Sequence, residues 1–336
     1  MKVIFIVNPA SGFTGFHKKV LKAVGHVAEL GCTVKMVETT GAGDATRLAQ
    51  EGAAEGFDVA VAVGGDGTIN EVVNGLVGTE TALAVLPAGT ANVYAADIGV
   101  PISWLLNPDA VTSAAAIVVN GQQRWIDVGL LTLADGTSRY FLMWCGVGLD
   151  AAISQAKKSN SAARRSWGYM AWAVSTARLL FDFRGIAAKV EMDEQEVEER
   201  IIVAVVSNGQ LYGRIWRMAP EAKMDDGLLD VGIMAGHRWG EIFRHAITLT
   251  LGQHLYDPNF QLHRTTRLVL STYYPMPVHV DGETIGTTPI EVEVIPSALK
   301  VVVPQDVPSR LFKHGYVPKQ RNLLAGFKWP LRRGKK

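Results

Sequence analysis

The chain is predicted to fold as an α/β protein in two parts, an N-terminal domain with a mostly parallel sheet and a C-terminal antiparallel β-sandwich. Three observations carry this expectation. Over the first ~100 residues short apolar runs alternate with amphipathic helical stretches, the rhythm of a parallel sheet covered on both faces. Beyond about residue 120 that rhythm gives way to strand-like pieces separated by turn residues. A chain of 336 residues with 48% hydrophobic content also exceeds the usual size of one core.

The elements follow in order. Val3 to Val7 is a strand that leads through Asn8-Pro9-Ala10-Ser11-Gly12 into a helix whose Val20, Leu21, Val24, Val27 and Ala28 share a face, with Gly31 as its stop. Thr33 to Val37 is the second strand, and Asp44 is the expected N-cap of a helix from Ala45 to Glu55. Val59 to Val63 ends in Gly64-Gly65-Asp66-Gly67-Thr68 and opens the third helix. Leu83 to Leu86 leads through Pro87-Ala88-Gly89-Thr90-Ala91-Asn92 to a short helix toward Ile98, and Pro101 ends it.

The second part is expected to hold strands at Trp125 to Leu133, Tyr140 to Cys145, Ala187 to Met192, Ile201 to Ser207, Leu228 to Met234, Leu268 to Thr272, Val278 to Val280, Ile290 to Ile295 and Leu299 to Val303. Helices interrupt it at Ala162 to Phe181 and at Trp239 to Gly252, the latter with apolar positions Ile242, Phe243, Ala246 and Ile247. The domains are placed at 1–120 and 121–303, with a basic tail at 304–336.

Composition excludes several classes. A formal net charge of +1 gives no whole-chain reason to expect nucleic acid. Cys32 and Cys145 build no disulfide framework, which suits a reducing cytoplasm. The opening apolar run is broken at Asn8-Pro9, so it reads as a strand and not as a signal peptide. The longest membrane candidate, Met170 to Phe181, is too short and contains Arg178. A soluble, cytoplasmic protein is expected.

The chemistry is concentrated at strand ends, where ligands of open parallel sheets collect. Gly64-Gly65-Asp66-Gly67-Thr68 reads as a phosphate-facing turn, since glycines reach positive φ and let a ligand approach, and Thr68 with the amides of Ile69 and Asn70 would open the helix. Asp66 is discordant there, because a carboxylate repels phosphate unless a cation or a hydrogen-bond network intervenes. The spacing fits neither a Gly-x-x-x-x-Gly-Lys loop nor a Gly-x-Gly-x-x-Gly dinucleotide turn.

Asn8 to Gly12 offers amides and a hydroxyl to phosphate, and Thr90 offers a second hydroxyl; each is also ordinary loop or capping chemistry. Lys223-Met224-Asp225-Asp226-Gly227-Leu228 is either a β-turn or a loop that holds a hard cation such as Mg²⁺. In His279-Val280-Asp281-Gly282-Glu283 the two carboxylates would share a face if strand geometry persists, one taking a proton and the other orienting; a type I′ or II′ hairpin tip is the alternative.

Taken together and in order, these five segments resemble the diacylglycerol kinase catalytic-domain family, which includes sphingosine kinases, ceramide kinases and bacterial soluble lipid kinases. The resemblance runs from residue 3 to about 303. It implies an ATP-dependent lipid kinase with the nucleotide in a cleft between the two domains. Asn8, Pro9, Ala10, Ser11, Gly12, Thr39, Gly64, Gly65, Asp66, Gly67, Thr68, Ile69, Asn70 and Thr90 fall on the family's nucleotide-binding positions. Lys223, Asp226 and Leu228 match its accessory Mg²⁺ site, Lys223 and Leu228 through backbone carbonyls. Glu283 matches the proton acceptor, Asp281 is its rival, and Asp66 is expected in a metal or water network.

The chain departs from the family at Val93-Tyr94, where many members carry an acidic residue before an aromatic, and at Gly213-Arg214-Ile215-Trp216, which replaces a more glycine-rich stretch. A bilayer acceptor implies contact with membranes, for which Arg164 to Trp172 and the basic tail, from Lys313 through Trp329 to Lys336, are candidates. An NAD kinase, whose family also uses a Gly-Gly-Asp-Gly-Thr turn, and a catalytically silent lipid- or nucleotide-binding module are the alternatives.

Overall fold

In the computed structural model residues 1–11, 16–89, 91–102, 110–149, 151, 183–193 and 195–313 are described. Four parallel strands, β1 (Lys2–Val7), β2 (Thr33–Glu38), β3 (Val59–Gly64) and β4 (Ala82–Pro87), lie in the order β2-β1-β3-β4. Every residue of β3 and β4 is buried, as a sheet covered on both faces demands. The covering helices are α1 (Phe16–Glu29), α2 (Asp44–Ala54), α3 (Asp66–Leu76), α4 (Val93–Asp97) and α5 (Ala110–Asn120). Contacts pair α1 with α5 and α2 with α3, the division that right-handed crossovers produce.

Two local expectations are corrected. The buried face of α1 is Phe16, Val20, Ala23 and Val27, while Leu21 and Ala28 are exposed. Asp44 does not cap α2 from outside; Gly43, at φ 84°, holds that position and Asp44 is the first helical residue. Its carboxylate accepts the Thr40 amide at 2.8 Å together with the Thr40 hydroxyl, bonds that hold the carboxyl down at about 2.

The remaining strands of the described residues pair antiparallel with one another: β5 (Gln122–Leu133), β6 (Ser138–Phe141), β7 (Trp144–Gly148), β8 (Ile186–Met192), β9 (Gln195–Ser207), β10 (Leu211–Tyr212), β11 (Trp216–Arg217), β12 (Leu229–Ala235), β13 (Phe260–Thr265), β14 (Arg267–Thr272), β15 (Pro277–Val280), β16 (Glu283–Thr287) and β17 (Ile290–Val303). Among the described residues one α-helix, α6 (Trp239–Thr250), interrupts them. The order β16-β15-β7-β9-β8-β14-β17 wraps a core of Val190, Ile201, Val231, Leu268, Val280 and Val292, and β12 and β13 extend it from β9.

The long strand β17 joins the two halves. Its first part pairs with β14 and β5, and Val301 pairs with Leu83 of β4 in parallel. The two strands expected at Ile290 to Ile295 and Leu299 to Val303 are therefore one, kinked by a bulge where Ser297 has φ 49°. Conversely the strand expected from Tyr140 to Cys145 breaks between β6 and β7 at Leu142-Met143, because their amides bond a carboxylate in place of a strand neighbour. The helix expected at Ala162 to Phe181, the segment Arg164 to Trp172 and the tail beyond Lys313 lie outside the described residues.

Candidate active site

The glycine turn after β3 leads straight into α3, with Gly65 in extended geometry as the cap and Asp66 as the first helical residue. Ile69 already donates to the Gly65 carbonyl at 3.0 Å. The amides left over at this helix start are therefore those of Asp66, Gly67 and Thr68, ahead of the Ile69 and Asn70 amides that the sequence suggested. None of Gly64, Gly65 and Gly67 has a positive φ; close approach is what requires glycine. A Cβ on Gly89 would stand 2.5 Å from the Cα of Gly65, and one on Gly67 would stand 2.6 Å from Oε1 of Glu283.

A cavity of about 480 Å³ opens in front of this helix start. It is lined by Asn8, Pro9, Ala10, Ser11, Thr39, Thr40, Gly41, Ala42, Ala45, Gly65, Gly67, Thr68, Glu71 and Glu283. The Asn8 side chain fixes two walls at once, donating to Thr68 Oγ1 at 2.9 Å and accepting the Ala10 amide at 3.0 Å. Glu71 holds the wall opposite by accepting the amides of Gly43 at 3.0 Å and Ala45 at 3.1 Å. Of the residues nominated for nucleotide, Gly64, Asp66, Ile69 and Asn70 stand behind the lining, and Gly12 and Thr90 lie outside the described residues. Glu71 was missed, although it lies one turn beyond Thr68 on the same helix.

Asp66 turns away from the cavity and accepts the Val93 amide at 2.7 Å, joining the start of α3 to the start of α4. Burial is the main reason its carboxyl is pushed up to about 6, and the nearby Asp281 adds to it against the pull of the Val93 amide.

Asp281 and Glu283 do not share a strand face. Val280 pairs with Glu283, and Asp281 (φ 46°) with Gly282 (φ 88°) forms the two-residue tip between β15 and β16 that type I′ geometry requires. The tip sends the carboxylates apart. Asp281 is buried and accepts four bonds: from Leu142 N and Asn70 Nδ2, both at 2.8 Å, from Met143 N at 2.9 Å and from Trp144 N at 3.0 Å. Burial pushes this carboxyl up, and the four donors counter it.

Glu283 instead enters the cavity against Gly67, with Arg139 Nη2 3.4 Å from its Oε2. Arg139 Nε donates to Asn70 Oδ1 at 2.7 Å, and Asn70 Nδ2 donates to the Tyr140 carbonyl at 2.9 Å as well as to Asp281. Asn74 completes the joint by accepting the Tyr140 amide at 3.0 Å. One chain of bonds thus runs from Asp281 through Asn70 and Arg139 to Glu283, across the boundary between the parallel sheet and the sandwich. Arg139 and Asn74 carry no motif signal; only the packing of β6 on α3 brings them in.

The loop from Lys223 to Leu228 is a turn closed by Asp226 Oδ1 accepting the Leu228 amide at 3.2 Å, with Gly227 at φ 76°. Asp127 Oδ2 accepts the Gly227 amide and its Oδ1 the Ser297 amide, each at 2.7 Å. Lys223 Nζ lies 3.5 Å from the carbonyls of Arg310 and Phe312. Burial, with the charges of Asp225 and Asp226 beside it, pushes the Asp127 carboxyl up. Carboxylates and backbone oxygens in one loop are the donor types that a hard divalent cation takes, although no cluster of three or more His, Cys, Asp and Glu side chains able to hold a metal occurs among the described residues. Among those residues no helix is long and apolar enough to cross a membrane.

Comparison with known proteins matches both halves. Residues 2–131 match the diacylglycerol kinase catalytic domain, and residues 144–303 match the YegS C-terminal NAD kinase beta sandwich-like domain. A diacylglycerol kinase of Bacillus subtilis (strain 168) is 30% identical over 308 residues, 91% of this chain and 97% of that protein. One of Mycobacterium tuberculosis (strain H37Rv) is 28% identical over 310 residues, 90% of this chain and 96% of that protein. A crystal structure from Bacillus anthracis str. Sterne, assigned to the diacylglycerol kinases, superposes with a TM-score of 0.72 at 26% identity and covers 91% of this chain and 98% of its own.

Proposed function

Since the chain belongs to the diacylglycerol kinase family and is thereby a lipid kinase, we propose that it transfers the γ-phosphoryl group of ATP to a hydroxyl of diacylglycerol or of a related glycerolipid or sphingoid lipid. The observation that carries this reading is the entry of Glu283, from the sandwich, into the cavity that the parallel sheet builds in front of α3. Donor phosphate and proton acceptor thereby meet in one place.

The cavity has the size of a small-molecule site. Its phosphate end is the start of α3, where the amides of Gly67 and Thr68 and the partial positive charge of the helix favour an anion. Asn8 keeps Thr68 and the Ala10 loop in register around that anion. The lipid hydroxyl attacks the γ-phosphorus in line, its proton passes to the Glu283 carboxylate, and ADP leaves. Arg139 holds the Glu283 carboxylate in place, and Asp281 positions the loop at Leu142 to Trp144 without meeting the substrate. Asp226, with the carbonyls of Lys223 and Leu228, would hold an accessory Mg²⁺, which when bound compensates the acidic charge of that loop.

Incubation of the purified protein with γ-labelled ATP, Mg²⁺ and a fractionated lipid extract tests the proposal. Label on a lipid spot identifies the acceptor. Label on NAD and on no lipid would turn the reading to an NAD kinase, and nucleotide binding without any transfer would turn it to a silent module.

A further inference from the structure

Helix α6 is amphipathic in the reverse of the usual sense. Its buried side chains are His245 and Leu249, and His245 Nε2 lies 2.9 Å from the Ala235 carbonyl. Its outward stripe is apolar: Phe243 is 48% exposed, Ile247 57% and Leu251 65%, spaced four residues apart on one face. Trp239, half exposed, extends the stripe by one turn and meets the Phe243 ring edge-on at 5.8 Å. Phe243, Ala246 and Ile247, three of the apolar positions that mark this helix in the sequence, all face outward.

A second element enlarges this face. Trp216 of the β10–β11 hairpin donates from Nε1 to Thr250 Oγ1 at 3.1 Å, which sets the hairpin tip, with Ile215 73% exposed, beside α6. Soluble surfaces rarely leave contiguous apolar side chains of this size uncovered.

The exposed charges at the start of α6 and at the hairpin tip are basic. Arg214 at the hairpin tip and Arg238 at the helix start are exposed beside the face. The carboxylates of the 237–257 segment are Glu241 and Asp257, and neither is exposed: Glu241 accepts the amides of His237 and Arg238 at the helix start, and Asp257 is buried beside Arg244. The face is also joined to the catalytic centre. The Tyr212 ring of the same hairpin lies 5.3 Å from the Trp144 ring, and the Trp144 amide donates to Asp281.

We propose that the outward face of α6, with the tip of the β10–β11 hairpin, is the surface by which this protein sits on an anionic lipid bilayer. The proposal rests on the lipid-kinase reading, because an acceptor held in a bilayer has to be met there. A helix of this kind lies in the interface with its apolar side among the acyl chains, its tryptophans at headgroup depth and the arginines beside it at the anionic lipids.

The test measures co-sedimentation of the full chain with vesicles of equimolar phosphatidylglycerol and phosphatidylcholine, and hydrogen exchange of residues 239–251 with and without the same vesicles. The proposal expects exchange at 239–251 to slow on the vesicles, and binding to fall as salt rises or phosphatidylglycerol is left out. The Phe243→Glu/Ile247→Glu variant should bind these vesicles about tenfold or more weakly, yet phosphorylate a short-chain diacylglycerol dispersed as monomers at the wild-type rate.

Unchanged exchange at 239–251 in the wild-type protein would overturn the proposal even if the variant fails to fold, as would wild-type vesicle binding by a folded variant. Slowing of exchange with protein concentration alone, together with a shift of the variant from dimer to monomer in sedimentation, would assign the face to a second copy of the chain and overturn it too. Phosphorylation of NAD but of no lipid, with vesicle binding still lost in the variant, would remove the lipid-kinase reading and leave the surface standing.

Discussion

At the scale of single residues the acidic side chains divide by how many donors surround them. Asp281, enclosed by four, is a positioning group, and Asp281→Asn turns an amide NH₂ toward donors. Urea unfolding should show a loss of about 2–3 kcal/mol; an unchanged midpoint would contradict the role. Asp66 gives a prediction with a sign. Its folded carboxyl is pushed up to about 6, above the ordinary value, so both states are protonated only below about pH 3. As pH rises from there to about 6 the unfolded chain ionises first and the folded state loses stability. Asp66→Asn lacks this loss, so its stability relative to wild type should grow by about 2 kcal/mol between pH 4 and pH 7. A pH-independent difference would show that burial does not strain this carboxylate. Both residues were visible as motif carboxylates, but one-dimensional spacing does not reveal that a two-residue tip turns Asp281 inward and Glu283 outward.

At the scale of elements, α3 is the working part, and Gly67 separates its stability from its function. Gly67→Ala adds helix propensity and should leave the thermal midpoint equal or higher, while the new Cβ, 2.6 Å from Glu283 Oε1, displaces that carboxylate. A fall in kcat of roughly tenfold or more is expected with little change in the affinity for ATP; wild-type turnover would mean that the contact does not matter. The strands and helices of the parallel sheet were legible because buried β3 and β4 are continuous apolar runs and the helices between them keep a 3.6-residue period. The hairpin β10–β11 and strand β13 were not, since Leu211-Tyr212 is too short for a period and Phe260–Thr265 carries polar residues on a half-exposed edge. Helix α6 was legible as a helix, but not the direction of its apolar stripe: periodicity shows that a stripe exists and says nothing about whether protein or another phase covers it.

At the scale of the whole molecule, the two halves are held in register by buried polar joints that no local pattern shows. Asp97 of α4 accepts the amides of Gln210 at 2.9 Å and Leu211 at 3.3 Å, and Gln210 in turn accepts from Arg310 Nε at 3.0 Å. Within the second half Asp127 joins the Gly227 loop to the β17 bulge in a similar way. If Mg²⁺ occupies that loop, millimolar Mg²⁺ without nucleotide should raise the thermal midpoint of the wild-type protein by roughly 3 °C or more and leave Asp226→Ala unmoved. Equal shifts in both would place the cation elsewhere. The family could be read from ordered motifs because each falls at a strand end or loop, yet the cross-boundary chain Asp281, Asn70, Arg139, Glu283 exists only once the sandwich docks on α3. The central claim is that this docking brings the proton acceptor to the donor phosphate. Its most direct test is the rate of label transfer from γ-labelled ATP to lipid by Glu283→Gln beside wild type, at matched ATP occupancy. A fall of about a hundredfold or more with ATP affinity retained is predicted; near-normal transfer would contradict it.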